Sequence, residues 1–383
     1  MKVGTTMRQR SLLYWGVVAT LLAISVNGAP QVSAQITPTT TALPLTLTGP
    51  MGPQFAVIQA NSERRGTGNT TQESIRVNGV TRTYVLHIPR HYEPGESALL
   101  IALHGRGGGG PGSKMEQDTK LDEKADREGF AIAYLDGLPD ATGMLNWNYF
   151  YDPFFVGITA PDDVGFVREV IDSLKARIHP DRQRIYVTGT SAGGFMAQTV
   201  GVVLSDRVAA VGVVQGGISV IFPGTPQAVP HATAPVSVLL LKGDQDAANF
   251  YCGALFQQFN LVEASSDQDF DYWTGSSANE CSHVHLTAPL CENMGVVDPQ
   301  GNVTLGTPTS LTKKEATACK EDTEVKLYRL LGGLDHWNLN PMNVPGQIPF
   351  NPDLNARTGV TTNDILWKFF EEHPKRNNHR EEP

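Results

Sequence analysis

Short apolar runs and amphipathic stretches take turns along this chain, and their order predicts its elements. The segments SIRVNGV and TRTYVLHIP alternate apolar with polar residues around Asn78 and Gly79, a dipeptide that strongly favours a tight hairpin turn. Two continuous apolar runs, Ala98 to Leu103 and Phe130 to Tyr134, predict buried strands, and the stretch DTKLDEKADREG between them has helical composition. VGFVREVIDSLKARI carries apolar residues at helical spacing, and Asp162 and Asp163 stand before it where carboxylates cap a helix N-terminus. Arg184 to Val187 is a further β-rich run, followed by a Gly-containing turn and the helical stretch AGGFMAQTVGVVL. Strand-like runs recur at Val208 to Val214, Val236 to Leu241 and Glu324 to Leu330, and TTNDILWKFFEEH closes the domain as a helix. Strands alternating with helices predict an α/β fold, a mostly parallel sheet with helices on both faces.

The ends break this rhythm. Lys2, Arg8 and Arg10 precede an apolar run from Leu12 to Val26, which gives way to small residues ending at Val32, Ser33 and Ala34. That is the layout of a cleaved signal peptide over residues 1–34, and its apolar run is short for a membrane span of about 20 residues. Residues 35–70 are rich in Thr, Pro and Gly and predict an extended linker. A folded domain is expected over 71–375, with a polar tail over 376–383. The 383 residues, 40% hydrophobic and 18% charged, suffice for one full core.

An exported chain also accounts for the cysteines. Cys252, Cys281, Cys291 and Cys319 form an even, clustered set, which in an oxidising compartment predicts two disulfides in the stretch before the last strand. A zinc site, with His283 and His285 nearby, is disfavoured because neither CxxC nor HxxxH spacing occurs. The net charge of −9 and the lack of a basic cluster disfavour nucleic acid as a partner. No membrane partner is expected after signal cleavage, and nothing here specifies an oligomeric state.

Candidate chemistry centres on Gly189, Thr190, Ser191, Ala192 and Gly193, which spell GxSxG between a predicted strand and a predicted helix. In a nucleophile elbow the turn is so tight that only small residues fit around the serine, whose hydroxyl is pushed out above the sheet. A serine hydroxyl needs a base oriented by a carboxylate. His231, His283, His285 and His336 lie between Ser191 and the closing helix, and His336 alone follows a strand and a Gly-rich turn, Gly332 and Gly333. Asp244 and Asp246 both follow a strand and are both candidates for the acid, although one could instead cap the turn. LLIALHGRGGGGPG ends a strand with backbone N–H groups free to meet a reacting oxygen, together with the N–H of Ala192. It lacks the spacing of a phosphate-binding loop. His104 reads as a structural residue at the strand end.

Taken together, RTYVLHIP, LHGRGGGG, DDVGFV, RIYVTGTSAGGFMA, KGDQD, LYRLLGGLDHW and ILWKFFEEH resemble, in that order, the secreted polyhydroxybutyrate-depolymerase and feruloyl-esterase group of the α/β-hydrolase fold. The resemblance covers about Ser74 to His373. It implies a serine esterase with Ser191, Asp246 and His336 as its triad, Asp246 being the third residue after a strand-end glycine, Gly243. It also implies a Cys281 to Cys319 bond, which leaves Cys252 for Cys291. Two departures stand out. Leu334, Asp335, Trp337 and Asn338 replace the usual residues around the base, and Arg106 stands where the group often has a small residue, so the second oxyanion donor is either Arg106 or Gly107.

These residues together predict acyl transfer from an ester, polymeric esters included, to water, with no cofactor and no metal. A serine peptidase and a non-catalytic binding protein on the same fold are the alternatives. Trp147, Tyr149, Phe150, Tyr151, Phe154 and Phe155 predict an aromatic loop at the sheet edge that carries Ser191. Trp147, Tyr149 and Trp337 are accordingly expected to touch substrate, with feruloyl or other aromatic esters, or a hydroxyalkanoate polyester, preferred over long-chain lipids.

Overall fold

The computed structural model describes residues 68–150, 153–155, 157–221, 229–258, 260–285, 288–311, 313–330 and 361–376. The expected signal peptide, the linker up to residue 67, His336, Trp337 and residues 377–383 lie outside them. The central sheet contains β1 (Asn69–Val77), β2 (Val80–Ile88), β3 (Leu99–Leu103), β4 (Ala131–Leu135), β5 (Ile185–Thr190), β6 (Ala210–Val214), β7 (Ser237–Gly243) and β8 (Val325–Leu330). Their spatial order is β1-β2-β4-β3-β5-β6-β7-β8. β2 runs antiparallel to both β1 and β4, and from β4 to β8 every pairing is parallel. This is the α/β-hydrolase fold. Two short antiparallel strands, Lys313–Thr317 and His283–Val284, extend the sheet beyond β8.

Period-two alternation divides the strand side chains between two apolar layers. Leu99, Ile101, Leu103, Ala133, Val187, Val213 and Leu240 face one layer, where they meet α3 (Asp163–Arg177), α4 (Ala192–Val203) and α5 (Ser266–Thr274). Leu100, Ala102, Ile132, Tyr134, Tyr186 and Leu241 face the other, closed by α1 (Gly112–Thr119), α2 (Leu121–Glu128) and α6 (Thr362–Glu372). Burial on both faces explains why these strands read as continuous apolar runs.

Local chemistry sets the turns. Asn78 and Gly79 both have positive φ, 49° and 84°, as the hairpin between β1 and β2 requires. The helix expected over DTKLDEKADREG is two helices, because Lys120 turns left-handed at φ 51° and lets Met115, Leu121 and Ala125 face one layer. The expectation that both Asp162 and Asp163 cap α3 is corrected. Asp162 Oδ1 accepts from Gly165 N at 2.7 Å, whereas Asp163 is buried and pairs with Arg82 at 2.6 Å while accepting from Asn148 N. Burial pushes the Asp163 carboxyl up and the Arg82 guanidinium opposes that push.

Between β7 and β8 the chain makes a crossover far longer than one helix. Besides α5 it contains small strands that join Val220–Ile221 in a separate sheet, ordered Val303–Thr304, Gly295–Val297, Ala254–Phe256, Leu261–Glu263, Val220–Ile221. Two disulfides staple it, Cys252 to Cys291 and Cys281 to Cys319. The second ties the segment after α5 to the approach to β8.

Because Arg82 and Asp163 are 2% and 0% exposed, deleting one strands the other without water. Asp163→Ala is expected to cost about 3–5 kcal/mol in urea unfolding, against about 1 kcal/mol for the cap variant Asp162→Ala. Equal losses would contradict the separate roles given to the two carboxylates.

Candidate active site

β5 ends at Thr190 and α4 begins at Ala192, so Ser191 alone turns the chain from strand to helix. It does so at φ 54° and ψ −123°, a conformation that L-residues rarely hold. The glycines on either side are sterically required. A methyl group on Gly189 would overlap the Gly193 carbonyl, and one on Gly193 would overlap the carbonyl of Leu103 at the end of β3. Ser191 is left half-buried at the carboxyl edge of the sheet. The N–H of Ala192, the first residue of α4, has no acceptor within its helix and sits at the positive end of the helix dipole.

The end of β3 passes directly beside this turn, since a Cβ added to Gly105 would lie 3.4 Å from Ser191 Cβ. His104 behaves as the structural residue it was expected to be. Its Nε2 accepts from Gly137 N at 2.9 Å, which leaves Nδ1 protonated to donate to Gly105 O at 2.7 Å, and burial lowers its pKa. Arg106 is anchored along its side chain: Nε pairs with the buried Asp140 at 2.6 Å, an Nη donates to Thr142 Oγ1, and the guanidinium covers the Phe154 ring at 3.8 Å. Asp140 in turn accepts from Thr142 N and Met144 N, so one carboxylate ties the loop after β4 to a candidate oxyanion residue. Gly107, the other candidate donor, begins a 3-10 turn beneath Met144.

The two candidate acids have different partners. Asp244 is gripped by Arg329 of β8, with Nε at 2.8 Å and the second nitrogen at 2.6 Å on one oxygen. Asp246 is 2% exposed; its Oδ1 accepts from Ala248 N and Asn249 N, and its Oδ2 accepts from the Asn249 side chain at 3.2 Å. The same Asn249 amide reaches Ser191 Oγ at 3.4 Å. Burial raises the Asp246 carboxyl, opposed by these N–H donors and by Lys242. Buried Glu263, which accepts from Phe250 N at 3.0 Å, is pushed well up by burial and by the nearby Asp246. Lys242 itself pairs with buried Asp269 at 2.7 Å and donates to Gly216 O below the elbow.

Of the other histidines after Ser191, His231, His283 and His285 are exposed, and His373 pairs with Glu324 at 3.0 Å. The two described aromatics expected to touch substrate lie inward. Trp147 is fully buried with its Nε1 donating to His104 O at 2.7 Å, and Tyr149 is 7% exposed and stacked on Phe195 at 4.8 Å. The loop that holds them is irregular, as expected, but it folds its aromatics inward because a strand-end carbonyl and a helix ring receive them. Asn249, Lys242 and Glu263 were not singled out from the sequence. The only trace of them was the Asp246 to Asn249 spacing of a side-chain-capped turn.

Residues 82–245 match the family described as esterase PHB depolymerase. The chain resembles the polyhydroxybutyrate-depolymerase and feruloyl-esterase group. A putative esterase of Nocardia uniformis is 33% identical over 192 residues, covering 48% of this chain and 51% of that protein. Feruloyl esterase B of Neurospora crassa is 29% identical over 135 residues, 35% of this chain and 44% of its own length. The chain thus spans about half, or less, of the relatives it matches. Among solved structures, an acetyl xylan esterase from Aspergillus awamori aligns over 79% of this chain and 99% of its own, with 10% identity and a TM-score of 0.46. No helix among the described residues is long and apolar enough to cross a membrane.

The two aspartates separate by experiment. Asp244→Asn weakens the grip on Arg329 and is expected to lower stability by about 1–3 kcal/mol while leaving the activity of the folded protein within about threefold. Asp246→Asn is expected to lower kcat for ester hydrolysis by about 10³-fold or more. Steady-state rates and urea midpoints of both variants check this, and a larger kcat loss for Asp244→Asn contradicts it.

Proposed function

We propose that this chain is a secreted serine esterase that hydrolyses carboxylic esters through an acyl-enzyme. The observation that carries the proposal is Ser191 held at φ 54° on the junction of β5 and α4, linked through one amide to the buried carboxyl of Asp246. His336 takes the Ser191 proton as Oγ attacks the ester carbonyl, and Asp246 stabilises the imidazolium. The N–H of Ala192 and that of Arg106 or Gly107 receive the negative charge on the former carbonyl oxygen. Collapse expels the alcohol, which takes the proton from His336. Water, deprotonated by the same base, then attacks the acyl carbon and releases the acid and Ser191. This sequence calls for neither a cofactor nor a metal.

The family match and the relatives named as esterases support ester hydrolysis, and the two disulfides fit an oxidising compartment. Feruloyl or other aromatic esters and hydroxyalkanoate polyesters are the proposed substrate classes.

A panel of p-nitrophenyl acetate, methyl ferulate, a short hydroxybutyrate oligomer, a long-chain triglyceride and a peptide anilide tests the proposal. The esters other than the triglyceride are expected to turn over, and Ser191→Ala is expected to lose about 10⁴- to 10⁶-fold in kcat. Full activity in Ser191→Ala, or anilide hydrolysis above ester hydrolysis, overturns it.

A further inference from the structure

The side-chain nitrogen of Asn249 lies within reach of both Ser191 and Asp246. It lies 3.2 Å from Asp246 Oδ2 and 3.4 Å from Ser191 Oγ, and the residue is 4% exposed. An amide carries two N–H donors, so both contacts are satisfied at once. The backbone N–H of the same residue donates to Asp246 Oδ1 at 2.9 Å, and Glu263 takes the next N–H, that of Phe250. Asn249 is therefore held at its backbone and at its amide, and its position is set by the buried carboxyl rather than by solvent.

We propose that Asn249 is a further catalytic residue, one whose amide fixes the rotamer and the proton direction of the Ser191 hydroxyl. The inference rests on the proposed role of Ser191 as nucleophile. A serine hydroxyl has one proton and two lone pairs. With the Asn249 N–H on one lone pair, the O–H is turned away from Asn249 and left free to be given to a base. The second N–H keeps Asp246 in the same register, so that nucleophile and acid are set by one side chain. Contacts of this kind in a resting enzyme are long and tighten as the reaction proceeds. When the acyl-enzyme breaks down, the same donor faces the departing Oγ. Acylation and deacylation both gain from it, and no extra reactant is required.

The variants are Asn249→Leu, close in volume but without a donor, and Asn249→Ala, which carries the same test should the leucine fail to fold. Both keep the backbone N–H to Asp246. Three quantities are measured on the full chain: kcat and KM for p-nitrophenyl acetate, the second-order rate of covalent labelling by a fluorophosphonate, and the thermal midpoint. The account expects kcat and the labelling rate to fall together by about tenfold, the worth of one directed hydrogen bond, with KM within about twofold. A kcat and labelling rate within twofold of the parent overturns the proposal, as does a loss confined to KM or to the thermal midpoint. Ser191→Ala in parallel keeps the two proposals apart. If that variant is inert while Asn249→Leu keeps full rate, only the role of Asn249 fails; if it stays active, the nucleophile assignment fails.

Discussion

The crossing of three chain segments at Ser191 governs much of what surrounds it. β5 must turn into α4 within one residue while the end of β3 passes close beside the helix start, and a side chain at either Gly189 or Gly193 would collide with backbone. A non-glycine residue at φ 54° costs on the order of 1–3 kcal/mol, which persists only where the surroundings over-determine it. Here they do so with hydrogen bonds. Ser191 N donates to Val214 O at 3.2 Å at the end of β6, and Ser191 O accepts from Gly194 N and Phe195 N in the first turn of α4. The strain is placed where a hydroxyl needs to stand clear of the sheet.

Around this elbow the protein buries charge, and the pattern is uneven. Lys242 pairs with Asp269, while Asp246 and Glu263 lie close to that pair without a cation of their own among the contacts described. Burial raises all three carboxyls, and N–H donors from residues 248, 249 and 250 offset the cost for Asp246 and Glu263. A carboxyl kept in such surroundings favours a cation alongside it. An imidazolium formed next to Asp246 would meet that need, in keeping with the role proposed for His336.

The central sheet was legible because a doubly covered sheet demands unbroken apolar strands, and runs such as Leu99 to Leu103 have no other economical use. The Asn78-Gly79 hairpin was legible because its backbone conformation has few residue solutions. Two disulfides followed from the cysteine count, while their pairing came from the family resemblance. What stayed hidden depends on partners distant in sequence. Trp147 reads as a loop aromatic until the His104 carbonyl, 43 residues earlier, is seen to receive its indole N–H. Asp163 reads as a cap until Arg82 is found against it, and Arg106 reads as an odd residue in a glycine loop until Asp140 and Phe154 hold it. Asn249 has no sequence signal that separates it from any polar turn residue, because its meaning lies in the two oxygens it spans.

The most direct measurement of the central claim is the site of covalent capture. The full chain is incubated with a fluorophosphonate, digested without reduction, and its peptides are mapped by mass spectrometry alongside residual esterase activity. The account predicts one phosphonate per chain, on Ser191, with activity lost in proportion to labelling. A label on another residue, or full esterase activity with Ser191 quantitatively modified, would contradict it.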